Sequence, residues 1–203
     1  IRRPPRSALF PYTTLFRSDP LPEGALQRLG TLRLRFGSVG DLAYLPDGRA
    51  MVASGSTLEI WDMRAGERVF SAPVAAGAIR SLEVRPDGGM VLLGDSGGTV
   101  QEWDPERREV ARRLPTGLPL VAATYAPDAS RVLCVGSVPP TLKEIDLSTG
   151  AERIVIQGAM HSFGFAVYAA DGKTAFAGGS AGSEAVLAHY DLATGTLLKA
   201  WHK

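Results

Sequence analysis

The stretch from Leu42 to Asp62 reads Leu-Ala-Tyr-Leu-Pro-Asp-Gly-Arg-Ala-Met-Val-Ala-Ser-Gly-Ser-Thr-Leu-Glu-Ile-Trp-Asp. Leu42-Ala43-Tyr44-Leu45 has the length and composition of a short strand, and it stops at Pro46-Asp47-Gly48. There Pro presets φ and Gly accepts the positive φ of a tight reversal. Ala50 to Ser54 is a second apolar run, Gly55 punctuates it, and Leu58-Glu59-Ile60-Trp61 is a third. A turn through Ala65-Gly66 then leads into Glu67-Arg68-Val69-Phe70. Four strands of about five residues joined by tight turns make an antiparallel meander. No window carries helical periodicity with caps.

This unit recurs. Pro46-Asp47-Gly48 returns as Pro86-Asp87-Gly88, Pro127-Asp128-Ala129 and Ala170-Asp171-Gly172, at spacings of 40, 41 and 43. Trp61-Asp62 returns as Trp103-Asp104, Ile145-Asp146 and Tyr190-Asp191, at spacings of 42, 42 and 45. A turn glycine follows in three of the four units, as Gly66, Gly150 and Gly195. Two independent signals with one period define a repeat protein. A lone meander cannot bury both faces, but stacking one every forty residues around an axis does so, which is the β-propeller solution. The expected fold is therefore all-β, about four blades of four-stranded antiparallel meander. The approximate bounds are 41–72, 79–114, 120–157 and 163–201, within a propeller region spanning 31–203.

With the Pro-Asp-Gly turn between the first two strands and the Trp-Asp pair closing the third, the units resemble WD repeats of a divergent, bacterial type. The departures are specific. The Gly-His pair that precedes the innermost strand in that family is absent from all four units, and Gly97 stands where its second-to-third strand turn carries Asp. The resemblance thus implies that the family's hydrogen-bonded tetrad does not form here in its usual way, although Ser54 and Trp61 keep two of its positions. The residue before the aromatic also changes, from Ile60 to Glu102, Glu144 and His189. Related YVTN or quinoprotein-like propellers remain compatible with the same turns. By resemblance, Leu29 to Phe36 is an N-terminal clasp strand that closes a ring, and such rings usually hold about seven blades. The chain is accordingly expected to be a propeller fragment whose remaining blades lie elsewhere.

The charge balance divides the chain. It has 22 Lys+Arg and 21 Asp+Glu over 203 residues, a formal net charge of +1. Residues 1–18 hold Arg2, Arg3, Arg6 and Arg17 and no acid, so the rest carries 18 basic and 21 acidic residues, or −3. Leu-Phe-Pro-Tyr-Thr-Thr-Leu-Phe-Arg-Ser, residues 9–18, resembles a translated sequencing adapter, so 1–18 is expected to be non-native and disordered, with 19–30 a linker. One cysteine excludes a disulfide framework, and no apolar stretch is long enough for a membrane-spanning helix. An acidic balance without aromatic-basic interleaving argues against a nucleic-acid partner.

Candidate sites are few. Asp47, Asp87, Asp128 and Asp171, with Gly48, Gly88 and Gly172, read as turn residues, and Asp62, Asp104, Asp146 and Asp191 close third strands beside Trp61, Trp103 and Tyr190. All fourteen are expected to be structural repeat positions. His161, His189 and His202 lack metal-ligand spacing, so no metal is expected. Cys134 falls in a buried strand, without a base or an exposed thiolate. Gly94-Asp95-Ser96-Gly97-Gly98 lacks the Lys and helix of a phosphate loop and reads as a plain turn. Arg107-Arg108 with Arg112-Arg113 is placed on an outer strand, where charge discourages edge pairing.

With strands labelled a to d from the axis outward, the a–b and c–d turns share one face, and the b–c and d–a connections share the other. The b–c connections are expected to lengthen along the chain, to six residues at Gly179 to Glu184. Function concentrates on variable loops. The expectation is a non-catalytic scaffold that binds protein partners through that second face, with no cofactor. The alternatives are an enzymatic or cofactor propeller of quinoprotein or lactonase type, or a truncated product without independent function.

Overall fold

Proline and glycine punctuation cuts the chain into short β segments, and in the computed structural model, which describes residues 39–158 and 160–203, these form four separate sheets. The first sheet holds β1 (Asp41–Tyr44), β2 (Ala50–Ser54), β3 (Thr57–Asp62) and β4 (Glu67–Pro73). The second holds β5 (Ile79–Val84), β6 (Val91–Asp95), β7 (Thr99–Asp104) and β8 (Glu109–Pro115). The third holds β9 (Leu120–Tyr125), β10 (Arg131–Ser137), β11 (Pro140–Asp146) and β12 (Glu152–Gln157). The fourth holds β13 (Ser162–Tyr168), β14 (Thr174–Ala181), β15 (Glu184–Asp191) and β16 (Leu197–His202). Within each sheet every strand pairs antiparallel with the next in sequence. No helix occurs among the described residues. The expected clasp strand, and the 1–18 and 19–30 segments, lie outside the described residues.

The innermost strands β1, β5, β9 and β13 touch in that order, and the core lies in the three junctions between consecutive sheets. Alternation sorts each second strand between two junctions. In β6, Val91 and Leu93 face the first sheet while Leu92 faces the third; in β10, Val132 and Cys134 face the second sheet while Leu133 and Val135 face the fourth. These strands are buried on both faces and are accordingly near-continuous apolar runs. Each fully buried Leu, Ile or Val adds about 1.5–3 kcal/mol relative to exposure.

Two sequence expectations need correction. Hydrogen bonding continues through Ser180↔Ala185 and Ala181↔Glu184, so the six-residue b–c loop expected in the fourth unit is a longer hairpin with a two-residue turn. The same holds in the third unit, where Ser137 pairs with Pro140. Gly179 was expected to open that loop, but it sits with Gly178 in β14, where β13 approaches too closely for a side chain. A Cβ on Gly178 would meet the Phe165 ring, and one on Gly179 would meet the Ser162 carbonyl. The second correction concerns the basic run: Arg107 and Arg108 lie in the β7–β8 turn, and only Arg112 and Arg113 are in the outer strand.

Candidate interaction surfaces

The repeated aspartates organise the face that carries the a–b and c–d turns. Asp47 Oδ1 accepts from the Arg49 N–H at 2.9 Å, Asp87 Oδ1 from Gly89 at 2.9 Å, Asp128 Oδ1 from Ser130 at 3.0 Å and Asp171 Oδ1 from Lys173 at 2.8 Å. Gly48, Gly88 and Gly172 follow with φ of 86°, 77° and 63°, and Ala129 adopts 55° in the third unit. In the c–d turns, Asp62, Asp104, Asp146 and Asp191 each accept from backbone N–H groups two or three residues on. Arg108, at φ 60°, occupies the position that Gly66, Gly150 and Gly195 fill elsewhere.

These contacts stabilise the carboxylate form. The Arg49 side chain lowers the Asp47 pKa, Arg85 that of Asp87, and the Ser130 hydroxyl that of Asp128. Backbone N–H groups lower Asp62, Asp171 and Asp191, and the Ser148 hydroxyl, with Thr149, brings Asp146 down to about 2. A concavity of about 400 Å³ opens between Asp47, Gly88, Asp104 and Glu106. Three of its carboxylates, those of Asp47, Asp87 and Asp104, are engaged by their own turns, so this face is a set of satisfied reversals.

The opposite face is knitted into a continuous backbone network. Val74 N donates to Ser56 O and Ile79 N to Gly55 O, tying the first d–a connection to its own b–c turn. Ala78 N donates to Ser96 Oγ at 3.0 Å while Ser96 N donates to Ala78 O, linking that connection to the second sheet. Thr116 Oγ1 donates to Gly98 O at 2.9 Å, and Ser137 N donates to Pro119 O. Gly98 has φ 87°, and a Cβ there would meet the Leu118 carbonyl oxygen at 2.7 Å, so glycine is required by both conformation and space. His161 is not a free loop residue: its N–H donates to Ser180 O and its Nδ1 accepts from Gly182 N at 2.8 Å. Val138 projects from this face with 74% exposure.

Between the two faces, polar contacts cross the junctions. Asp41 Oδ2 accepts from Leu82 N at 2.7 Å, and Ser81 Oγ accepts from Ala123 N at 3.0 Å, one blade later in the same register. Glu83 Oε2 accepts from Tyr125 N, and burial raises its pKa against that bond. Glu102 accepts from the Tyr125 hydroxyl at 2.9 Å and has Arg85 and Arg112 at 3.7 Å. Glu144 repeats the arrangement, accepting from the Tyr168 hydroxyl at 2.9 Å, Arg131 at 3.0 Å and Arg153 at 2.6 Å. Desolvation, reinforced by the neighbouring carboxylate, raises the pKa of both tyrosines, so each stays a donor. Sequence reasoning singled out Glu102, Glu144 and His189 as altered positions but missed this network. The available signal was Tyr125 and Tyr168, 23 and 24 residues after the two glutamates.

The remaining candidates have structural surroundings. Trp61 Nε1 donates to Glu59 at 2.9 Å. Cys134 is fully buried, and burial pushes its thiol up to about 12. Lys143 Nζ crosses from the third sheet to the Thr116 carbonyl at 2.5 Å and pairs with Glu152 at 2.7 Å. Asp95, 1% exposed, accepts from Thr99 N and fills the turn that lacks Asp at Gly97. His202 Nδ1 lies 3.3 Å from Glu184. Among the described residues no group of three His, Cys, Asp or Glu is placed to hold a metal ion.

Four antiparallel meanders, stacked innermost strand against innermost strand with a core in every junction, are blades of a β-propeller. No family model matches the sequence. U3 small nucleolar RNA-associated protein 15 of Schizosaccharomyces pombe is 32% identical over 110 residues, which is 53% of this chain and 22% of that protein. The Cps50 (Swd1) β-propeller domain of Myceliophteria thermophila superposes with a TM-score of 0.67 at 18% identity, covering 83% of this chain and 56% of that one. Hydrazine synthase of Kuenenia stuttgartiensis superposes with a TM-score of 0.70 at 18% identity, covering 91% of this chain and 53% of that one. At such identity the solved structures share the fold alone. The chain spans about half the length of these two structures and about a fifth of the curated relative. Its fold is that of a β-propeller, and its repeated Pro-Asp-Gly and Trp-Asp turns resemble those of WD repeats.

Proposed function

We propose that this propeller is a non-catalytic scaffold that binds protein partners through the face bearing the b–c and d–a connections. The observation that carries the proposal is the network on that face. Each d–a connection is bonded to a b–c turn, so the surface is ordered before any partner arrives. A preorganised surface binds without the ordering cost that a mobile loop incurs. Val138, exposed among these backbone-bonded turns, supplies an apolar contact point. The opposite face offers carboxylates already engaged by their own turns. The curated relative's name ties that protein to a small nucleolar RNA; in this chain the −3 balance of residues 19–203 favours a protein ligand.

The test is partner capture on immobilised chain, quantified by mass spectrometry for three forms. The Val138→Glu/His161→Glu variant is expected to lose the partners that the unmodified chain retains, whereas Glu106→Lys on the turn face keeps them. Loss with Glu106→Lys alone would move the binding surface to the other face. Catalytic turnover by the purified chain would overturn the scaffold reading.

A further inference from the structure

Arg80 is the residue of β5 that its sheet leaves over. Ile79 pairs with Asp95 and Ser81 with Gly94, so Arg80 has no opposite number on β6 and forms a β-bulge. The same bulge recurs in the next two innermost strands, at Val121 between Leu120↔Gly136 and Ala122↔Val135, and at Gly164 between Phe163↔Gly179 and Phe165↔Gly178. A bulge re-aims its extra side chain, out of the alternation that sorts its neighbours into the junctions. In the third blade that side chain is a valine packed against the core, and in the fourth there is none. In the second it is an exposed guanidinium.

Arg80 is the second residue of β5, directly after a d–a connection, so it lies at the inner rim of the face that bears the b–c and d–a connections. Its strand is flanked by β1 and β9, with a blade on either side. The guanidinium makes no ion pair or hydrogen bond among the described residues, whereas Arg49 and Arg85 on the turn face pair with Asp47 and Asp87. The acids on Arg80's own face are occupied. Asp41 accepts from Leu42 N at 2.8 Å and from Leu82 N at 2.7 Å, Asp95 is 1% exposed, and Glu184 lies 3.3 Å from His202. Residues 74–78, 96–98, 117–119 and 137–139, which form the connections of the first three blades on this face, carry no charge.

One unpaired cation in an uncharged surround calls for one anion on an otherwise uncharged ligand. A guanidinium holds a carboxylate through two parallel N–H···O bonds, whereas phosphate-bearing segments are read by clusters of arginines. Any further charge on the ligand would give up its hydration here without a partner. We infer that this face takes a protein segment in which a single Asp or Glu, set among apolar and uncharged residues, docks its carboxylate on Arg80. The inference rests on the scaffold reading above and names the chemistry of the partner. Val138, on the same face, is an apolar contact for such a segment.

Random peptides displayed on phage and selected on the immobilised 203-residue chain supply the probe. The strongest binder is then synthesised with an amidated C-terminus and titrated by fluorescence anisotropy. It is expected to carry one Asp or Glu. Arg80→Gln in the chain, or Gln for the acid in the peptide, is expected to weaken binding roughly 10–100-fold, the effect of losing a charged hydrogen-bonded pair. The two changes together should cost no more than either alone. Arg80→Lys keeps the charge without the fork and should fall between. Since Arg80 is exposed, Arg80→Gln is expected to leave the circular dichroism unchanged. Binding that Val138→Glu/His161→Glu abolishes and Arg80→Gln leaves intact overturns the inference but keeps the face. Binding indifferent to both variants overturns the inference and the choice of face together. A selection that enriches no sequence overturns the inference alone, because a folded partner does not need a linear segment. Loss of binding on amidation of the peptide also overturns it, by assigning Arg80 to a chain-end carboxylate.

Discussion

Between the first two blades, Ile60 and Phe70 occupy the register positions that Glu144 and Arg153 occupy between the last two. The first junction closes on Val91, Leu93 and the fully buried Trp103, with the Phe70 ring 5.6 Å from the Trp103 ring. The last adds a carboxylate bonded to two arginines and a tyrosine. The backbone frame is the same in both, so the propeller does not require either chemistry. Apolar packing is non-directional, whereas Glu144 must meet Tyr168, Arg131 and Arg153 together, which fixes how the fourth blade is set against the third. A buried ion pair is a weak source of net stability, since desolvation offsets much of its attraction, and its clearest use is specifying register.

The largest effect that would sharpen this contrast is expected from Trp103→Ala. It empties the centre of the apolar junction and should cost about 3–5 kcal/mol in chemical denaturation, with no dependence on salt. A loss below about 1 kcal/mol would show that the first junction is not held by packing. Glu144→Ala is expected to cost about 2–3 kcal/mol, because it leaves the Tyr168 hydroxyl unpaired and sets two arginines against each other, partly relieved by their exposure to solvent. Transplanting the first junction into the third, as Glu144→Ile/Arg153→Phe/Tyr168→Val, should recover most of that loss, to within about 1 kcal/mol of the unmodified chain. If the triple variant is as unstable as Glu144→Ala, the frame does discriminate and the interchangeability is wrong.

A smaller effect separates the junctions from the turn face. Asp146 has a folded-state value of about 2, against an ordinary 3.8, set first by the Ser148 hydroxyl. A depressed carboxylate stabilises the fold above its unfolded value, and that contribution is lost as pH falls from about 4 through 2. Asp146→Asn keeps an acceptor oxygen but no titration, so its melting temperature should fall less steeply over that acid range. Parallel curves for the two proteins would show that this carboxylate does not carry the acid sensitivity.

Blade number and turn placement were legible because they depend on local chemistry. Pro46, Asp47 and Gly48 form their reversal from neighbours in sequence, and the forty-residue period exposes each copy. The Glu144 network was not legible in the same way. Its partners lie on three strands of two sheets, and nothing within a few residues of Glu144 shows that the position faces Tyr168 rather than solvent. The contacts of His161 were hidden for a similar reason, since its partners Ser180 and Gly182 belong to a hairpin that reads as loop in the sequence. Pairing across the sheet, with Phe165 lying over Gly178, overrides the local signal. The fourth b–c connection therefore looked long in sequence and is short in the fold.

The same local logic makes the last prediction sharp. The repeat pattern places glycine after each a–b Asp, and the third unit has Ala129 there, held at φ 55°. That conformation crowds a Cβ against the following carbonyl, at a cost of about 1 kcal/mol for a non-glycine residue. Its neighbours hold it in place: Asp128 accepts from Ser130 N and Oγ, and Ala129 N donates to Ala126 O. Ala129→Gly removes the crowding but frees the unfolded chain, so the net gain is expected to be about 0.5 kcal/mol, read as a small rise in melting temperature. A net loss would mean that Ala129, which packs at the edge of the junction between the second and third blades, contributes more through its methyl group than its backbone conformation costs.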